Sequence, residues 1–235
     1  MKAIEVRGLS KAFGDHTIFS KLSLHIDRGE LVALLGPSGC GKTTVLRCLA
    51  GLEKPDAGWF NVNGESGIVF QEPRLLGWQD VRGNVAFAAR TPQEHARVDE
   101  LIEDVGLTQA ARKLPKELSG GMAQRTALAR SLVRNPQILL LDEPFAAVDA
   151  LRRYELQRQL RAIVEARGLS ALIVTHDVDE AIFLADRVLV LGGEPASIVA
   201  ELHDAQRDQV LAALGAPLTA TPEAPRGRRA LSEYH

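Results

Sequence analysis

Leu31-Val32-Ala33-Leu34-Leu35 runs directly into Gly36-Pro37-Ser38-Gly39-Cys40-Gly41-Lys42-Thr43-Thr44. A short unbroken apolar run is the pattern of a strand buried on both faces. The segment behind it matches G-x-x-x-x-G-K-[ST], and a helix is expected from about Lys42 to Ala50. Strand, glycine-rich turn and helix are the context in which this motif cradles phosphate. Glycines let successive N–H groups turn inward, and the helix adds its positive end. Lys42 supplies a mobile cation for the β and γ phosphates, and the Thr43 hydroxyl is a ligand for Mg2+. A chance match in a chain of this size arises about once in a hundred. A dinucleotide fingerprint is excluded, because G-x-G-x-x-G started at Gly36 meets Ser38, and started at Gly39 meets Thr44.

Upstream, Ile4–Val6, Thr17–Phe19 and Leu22–Ile26 read as strands, with a turn at Asp27-Arg28-Gly29. Trp59–Val62 and Ile68–Phe70 read as further strands. From about Val81 to Val133 the pattern turns helical, with Pro92 in a first turn and Ala96, Val98, Leu101, Ile102 and Val105 on an apolar face. Strand–helix alternation then resumes: Ile138–Leu141, Leu151–Glu165, Ala171–Thr175, Val178–Leu184 and Arg187–Leu191. The sum is an α/β core with a helical insertion of roughly fifty residues. The tail after about Pro217, with Arg226, Arg228 and Arg229, reads as a poorly ordered terminus.

Ile138-Leu139-Leu140-Leu141-Asp142-Glu143 is an apolar strand ending in two acids. In an open α/β sheet that end lies beside the phosphate loop. Asp142 is placed to hold Mg2+, and Glu143 to orient or deprotonate the attacking water. Leu118-Ser119-Gly120-Gly121-Met122 opens another helix, with Ser119 as a good N-cap. Two glycines in a first turn each cost up to about 1 kcal/mol, which points to a close approach by a phosphate.

Composition narrows the class. The chain has 235 residues, enough for roughly one to two domains. Twenty-eight basic against 30 acidic side chains give a net charge of −2, so no basic footprint for nucleic acid exists. The two cysteines, Cys40 and Cys48, are eight positions apart. On one helix that is about 12 Å, too far for a disulfide, and free thiols fit a reducing compartment. No stretch approaches the ~20 apolar residues of a spanning helix, and the N-terminus lacks the apolar core of a signal peptide. The chain is therefore expected in the cytosol unless a partner carries it to a membrane.

With the phosphate loop, Gln71, the 118–122 signature, Asp142-Glu143, Asp149 and His176 in this order, the chain resembles the nucleotide-binding subunit of an ABC transporter. The resemblance covers about residues 2 to 205. It implies an α/β P-loop NTPase core of the ABC ATPase type, with an N-terminal antiparallel β subdomain. A helical subdomain would be inserted at about 72–134, and residues 206–235 would form a partly disordered extension. Phe13 falls where the family stacks a ring on adenine, and Gly36 to Thr44 would bind ATP. Gln71 would sense Mg2+ and the attacking water, joining Thr43 and Asp142 as a metal ligand. Catalysis would rest on Glu143, His176 and Gln71. Ser119, Gly120, Gly121 and Asp149 would grip ATP held by a second copy.

The implied partners are that second copy, two transmembrane permease subunits and, indirectly, an extracytoplasmic solute-binding protein, with no nucleic acid. The implied place is the cytoplasmic face of the inner membrane. Val69–Trp78, Asn84–Phe87 and Asp142–Phe145 resemble the nitrate, taurine and aliphatic sulfonate importer branch. Met122 departs from the family's usual glutamine, and Gly77 from the branch's usual proline. Three rival readings compete with it: a soluble ABC ATPase acting on ribosomes or DNA, an exporter cassette, and a regulatory module that holds ATP without turnover. A single cassette, a short insertion and intact Glu143 and His176 favour the importer.

Overall fold

The computed structural model describes residues 1–146 and 148–215. The basic cluster at Arg226, Arg228 and Arg229 lies outside the described residues. The chain begins with a hairpin of β1 (Lys2–Phe13) and β2 (His16–Asp27), and β4 (Ala57–Val62) pairs with the other edge of β1. Both pairings are antiparallel, in the order β2-β1-β4. β2 is one strand where the sequence pattern gives two. Leu9 pairs with Leu22 and Lys11 with Phe19, so β2 carries one extra residue there. Lys21 takes a φ of 51°, and the resulting bulge interrupts the alternation without ending the strand.

The central sheet has the order β5-β6-β7-β3-β8-β9. Its strands are β5 (Ser66–Val69), β6 (Ile138–Asp142), β7 (Ser170–Thr175), β3 (Leu31–Leu35), β8 (Arg187–Gly192) and β9 (Ser197–His203). The first five run parallel and β9 runs antiparallel to β8. β3, β6 and β7 are buried at every position, as continuous apolar runs require. Period-two alternation divides them between two cores. Leu31, Ala33, Leu35, Leu139, Leu141 and Ile173 pack into one. That core also takes residues of α5 (Gly120–Leu132), α6 (Ala150–Ala166) and α7 (Val178–Leu184). Val32, Leu34, Leu140, Leu172 and Val174 pack into the other, against α1 (Lys42–Leu49) and the antiparallel sheet.

Between β5 and β6 the chain inserts α2 (Val81–Ala86), α3 (Pro92–Ala96), α4 (Val98–Asp104) and then α5. The apolar face expected from Pro92 onward is broken at Arg97 into two helices. Val98, Leu101, Ile102 and Val105 are buried, but Ala96 is exposed, and α3 buries nothing. A capping box between Thr91 and Glu94 holds α3 in place of packing. β9 and α8 (Arg207–Ala213) have no counterpart in the sequence reading. α8 places Val210, fully buried, in the main core. Among the described residues no helix is long and apolar enough to cross a membrane.

The segment after β5 is fixed by one buried amide. Asn84 is 0% exposed; its Oδ1 accepts from Leu76 N at 2.7 Å. Its Nδ2 lies within reach of the carbonyls of Leu76, Gln79 and Asp80. Replacing Asn84 with Leu strands these groups without partners, and a buried unsatisfied group costs about 1–3 kcal/mol. Asn84→Leu is expected to lower unfolding stability by about 3 kcal/mol in urea titration. A change under about 1 kcal/mol would mean that these bonds add nothing net to the fold.

Candidate functional site

Parallel register brings the candidate residues to one edge of the central sheet. Leu35, the last residue of β3, pairs with Thr175, and Asp142 at the end of β6 pairs with Val174. The phosphate loop, Asp142-Glu143 and His176 therefore leave the sheet side by side. Val69 of β5 pairs with Leu141, so Gln71 and Glu143 each lie two residues beyond that pair. Gln71 itself is exposed, in the bend after β5.

Two glycines of the loop have no substitute. A Cβ on Gly41, at φ 100°, would stand 2.5 Å from Ile18 Cγ2. A Cβ on Gly36 would stand 2.6 Å from the Leu191 carbonyl oxygen. The loop is thus pressed against β2 on one side and β8 on the other. Lys42 is 4% exposed, and its Nζ donates to the carbonyls of Gly36 and Pro37 at 2.8 Å each. Thr43 Oγ1 donates to Asp142 Oδ1 at 2.7 Å. Burial raises the Asp142 carboxyl above its ordinary range, the Thr43 hydrogen bond opposes this, and the neighbouring Glu143 charge adds to it.

Glu143 has a φ of 42°, a left-handed conformation that a side chain rarely adopts. Its N–H still donates to the Val174 carbonyl at 2.9 Å, so the chain turns sharply one residue beyond the strand. That turn brings Glu143 Oε1 to 3.2 Å from His176 Nδ1. Backbone strain of this kind is held only where the surroundings over-determine it, and it clusters at functional sites. Phe13 stands at the end of β1, half exposed, with Lys11 Nζ 4.8 Å from its ring centre. Lys11 is in turn held by the Lys54 carbonyl at 2.9 Å and by Glu53 at 2.8 Å.

Ser119, Gly120, Gly121 and Asp149 lie elsewhere. Ser119 caps α5, accepting from Met122 N at 3.3 Å, and Gly120 is exposed in the first turn. Ser119 and Gly121 open onto a cleft of about 320 Å3 between α5 and α6 that no phosphate-loop residue lines. Asp149 caps α6 through Arg152 N at 3.1 Å. Met122 packs its side chain against the main core, so its departure from glutamine changes packing as well as polarity.

Other residues tie the pieces together without a motif to announce them. Gln124 Nε2 donates to the Phe70 carbonyl at 3.1 Å, and Arg130 donates to the carbonyls of Pro73 and Arg74 at 2.6 and 2.9 Å. These bonds fasten α5 to the loop that carries Gln71. Gln124 and Arg130 stand six positions apart on α5, so no shared helical face marks them in the sequence.

The family model described as ABC transporter matches residues 19–146, more than half of the chain. The chain belongs to the ABC transporter family. It is 50% identical over 200 residues to the aliphatic sulfonates import ATP-binding protein SsuB 2 of Pseudomonas syringae pv. tomato, covering 85% of this chain and 86% of that one. The protein of the same description in Burkholderia lata is 46% identical over 231 residues, covering 92% and 84%. Among solved structures, the dimeric post-hydrolysis state of the ATP-binding cassette MJ0796 bound to ADP and Pi superposes with a TM-score of 0.74. It is 27% identical and covers 86% of this chain and 99% of that one. The α/β P-loop NTPase fold of the ABC type, with its antiparallel β subdomain and helical insertion, is therefore established. The chain is an ATP-hydrolysing subunit of the ABC type.

One buried acid of this ABC ATPase titrates far from its usual range. Glu180 on α7 is 5% exposed, and its carboxyl is pushed up to about 8 by burial first and by the Asp177 charge second. The folded protein keeps this proton above pH 4.5, where the unfolded chain has released it. Stability therefore falls as pH rises between 4.5 and about 8. Glu180→Gln removes that penalty. Its melting temperature should exceed that of the unaltered protein by a few degrees at about pH 8 and by less at about pH 5. Parallel melting curves, with no difference between the two pH values, would contradict a proton held on Glu180.

Proposed function

We propose that this chain is the ATPase of an importer for aliphatic sulfonates or chemically similar small anions such as taurine or nitrate. The observation that carries the solute is the identity of 46–50% to proteins described as aliphatic sulfonate import ATPases. Two copies would sit peripherally on the cytoplasmic face of a membrane, beneath two permease subunits fed by an extracytoplasmic solute-binding protein. A groove of about 510 Å3 beside the Gln71 loop supports a permease contact. Phe70, Arg74, Phe87, Arg90, Arg130 and Arg134 line it, and Phe87 is largely exposed.

ATP enters between the phosphate loop, Gly36 to Thr44, and the ring of Phe13. Lys42 exchanges its two backbone carbonyls for the β and γ phosphates, a stronger partner for an ammonium ion. A carboxylate, a hydroxyl and an amide oxygen are hard ligands that suit Mg2+, and Asp142 and Thr43 already converge. Asp142, Thr43 and Gln71 would hold the ion, which when bound neutralises charge on the phosphate oxygens. Glu143 takes the proton of the attacking water, and His176 fixes the Glu143 carboxylate while reaching toward the γ-phosphate.

The other half of the site comes from a second copy. Ser119, Gly120 and Gly121 open the helix of thirteen residues, α5, whose N–H groups suit the γ-phosphate. Asp149 of the second copy completes the interface. ATP then favours the closed pair, and loss of phosphate opens it, a population shift that drives the permease.

Lys42→Ala is expected to weaken ATP binding at least about tenfold in equilibrium titration, the loss of a charged hydrogen-bond partner. Unchanged affinity would contradict the cradle. For the solute, deletion of the chain in its own cell should abolish growth on an alkanesulfonate as sulfur source and spare growth on sulfate. Normal growth on the sulfonate, with failure on nitrate, would move the solute to nitrate.

A further inference from the structure

The guanidinium of Arg153, one turn into α6, is fastened at two ends. Nη1 donates to Asp177 Oδ2 at 3.1 Å, and Nη2 donates to the Val148 carbonyl at 3.2 Å. Asp177 serves twice, because its Oδ1 accepts the N–H groups of Asp179 and Glu180 and so caps α7. Val148 directly precedes Asp149, and His176 directly precedes Asp177. One side chain therefore straps the loop that enters α6 to the turn that carries His176. A planar fork suits this double duty, as a single ammonium would not.

Behind the strap lies a cavity of about 60 Å3. Glu143, His176, Arg153, Asp177 and Glu180 all line it. Arg153 Nε and Glu180 Oε1 are buried without a hydrogen-bond partner among the described residues. Glu180 is 95% buried, at 5% exposure. Unsatisfied groups of this kind are costly, and a native structure keeps few of them. Here they stand against the same small space as the Glu143–His176 pair. The space is large enough and polar enough for water to bridge them.

We propose that Arg153 is a positioning residue for ATP hydrolysis: the Val148–Arg153–Asp177 strap makes the placement of His176 against Glu143 depend on how the Asp149 loop is seated. The inference rests on the roles proposed above for Glu143, His176 and Asp149. A second copy that meets Asp149 is then felt at the His176 turn of the same chain. The path is one side chain long and needs no movement of the sheet.

The test is steady-state ATP hydrolysis by Arg153→Met, which keeps the apolar stem and removes both strap bonds. Asp177→Asn, which keeps the cap acceptor and loses the charge pair, and the double variant complete a cycle. Misplacing a catalytic group by about 1 Å costs about a hundredfold. The expected result is a kcat about tenfold to a hundredfold lower, with KM for ATP within about threefold. The melting temperature should stay within a few degrees, and the double variant should fall no further than Arg153→Met.

A kcat within about twofold of the unaltered protein, or a raised KM at constant kcat, would overturn the strap. Glu143→Gln and His176→Ala run alongside. If they are inactive while Arg153→Met turns over normally, only the strap fails. If they themselves turn over normally, the catalytic reading beneath it fails. Should Arg153→Met not fold, Asp177→Asn and Arg153→Lys decide the matter, each expected to lose kcat by an intermediate factor and each overturning the strap if kcat is unchanged.

Discussion

The Thr43 hydroxyl reaches Asp142 across 2.7 Å because β3 and β6 both pair in parallel with β7. Thr43 and Asp142 are 99 residues apart in sequence. Nothing local brings them together; the register of three fully buried strands does. Apolar side chains alternate to two separate cores, so a slip of one residue would turn every one of them to the wrong side. The same register sets Glu143 beside His176, since the Glu143 N–H caps the ladder on Val174. Hydrophobic sorting thus holds the geometry of a polar site, and the site itself need contribute little to stability.

A second constraint follows from the insertion. α5 is fastened to the 70–74 loop by Gln124 and Arg130, and Asn84 fixes the segment just beyond. The helix that begins at Ser119 therefore moves with the loop that carries Gln71. Yet Ser119 opens onto a cleft with no phosphate-loop residue in it. The phosphate loop and the start of the Ser119 helix thus face different spaces in one chain. Under the proposed function this is why one copy alone binds nucleotide with half its contacts. It also explains how a permease pressing near Gln71 would reach the signature helix.

Much of this was legible in the residues, for physical reasons. Leu31–Leu35, Ile138–Leu141 and Ala171–Thr175 read as strands because parallel strands covered on both faces must be continuously apolar. The phosphate loop read clearly because few sequences satisfy its backbone demands. β2 read as two strands because a bulge at Lys21 breaks the period. Ala96 was misplaced because α3 is held by its cap and not by an apolar face. β9 alternates only between exposed and half-exposed residues, so it offers little contrast. Arg153 and Gln124 were invisible because their partners are backbone carbonyls or a distant carboxylate, which no spacing in the sequence encodes.

Under the proposed function, one ATP is held between the phosphate loop of one copy and the Ser119 helix of another. Light scattering on Glu143→Gln, with and without ATP, tests it most directly, since that variant is expected to bind ATP without rapid turnover. A monomer is expected without nucleotide and a dimer with ATP. Adding Ser119→Arg to the same chain is expected to return it to a monomer while ATP still binds. A chain that stays monomeric at saturating ATP, or that dimerises equally well with Ser119→Arg in place, would contradict the shared site.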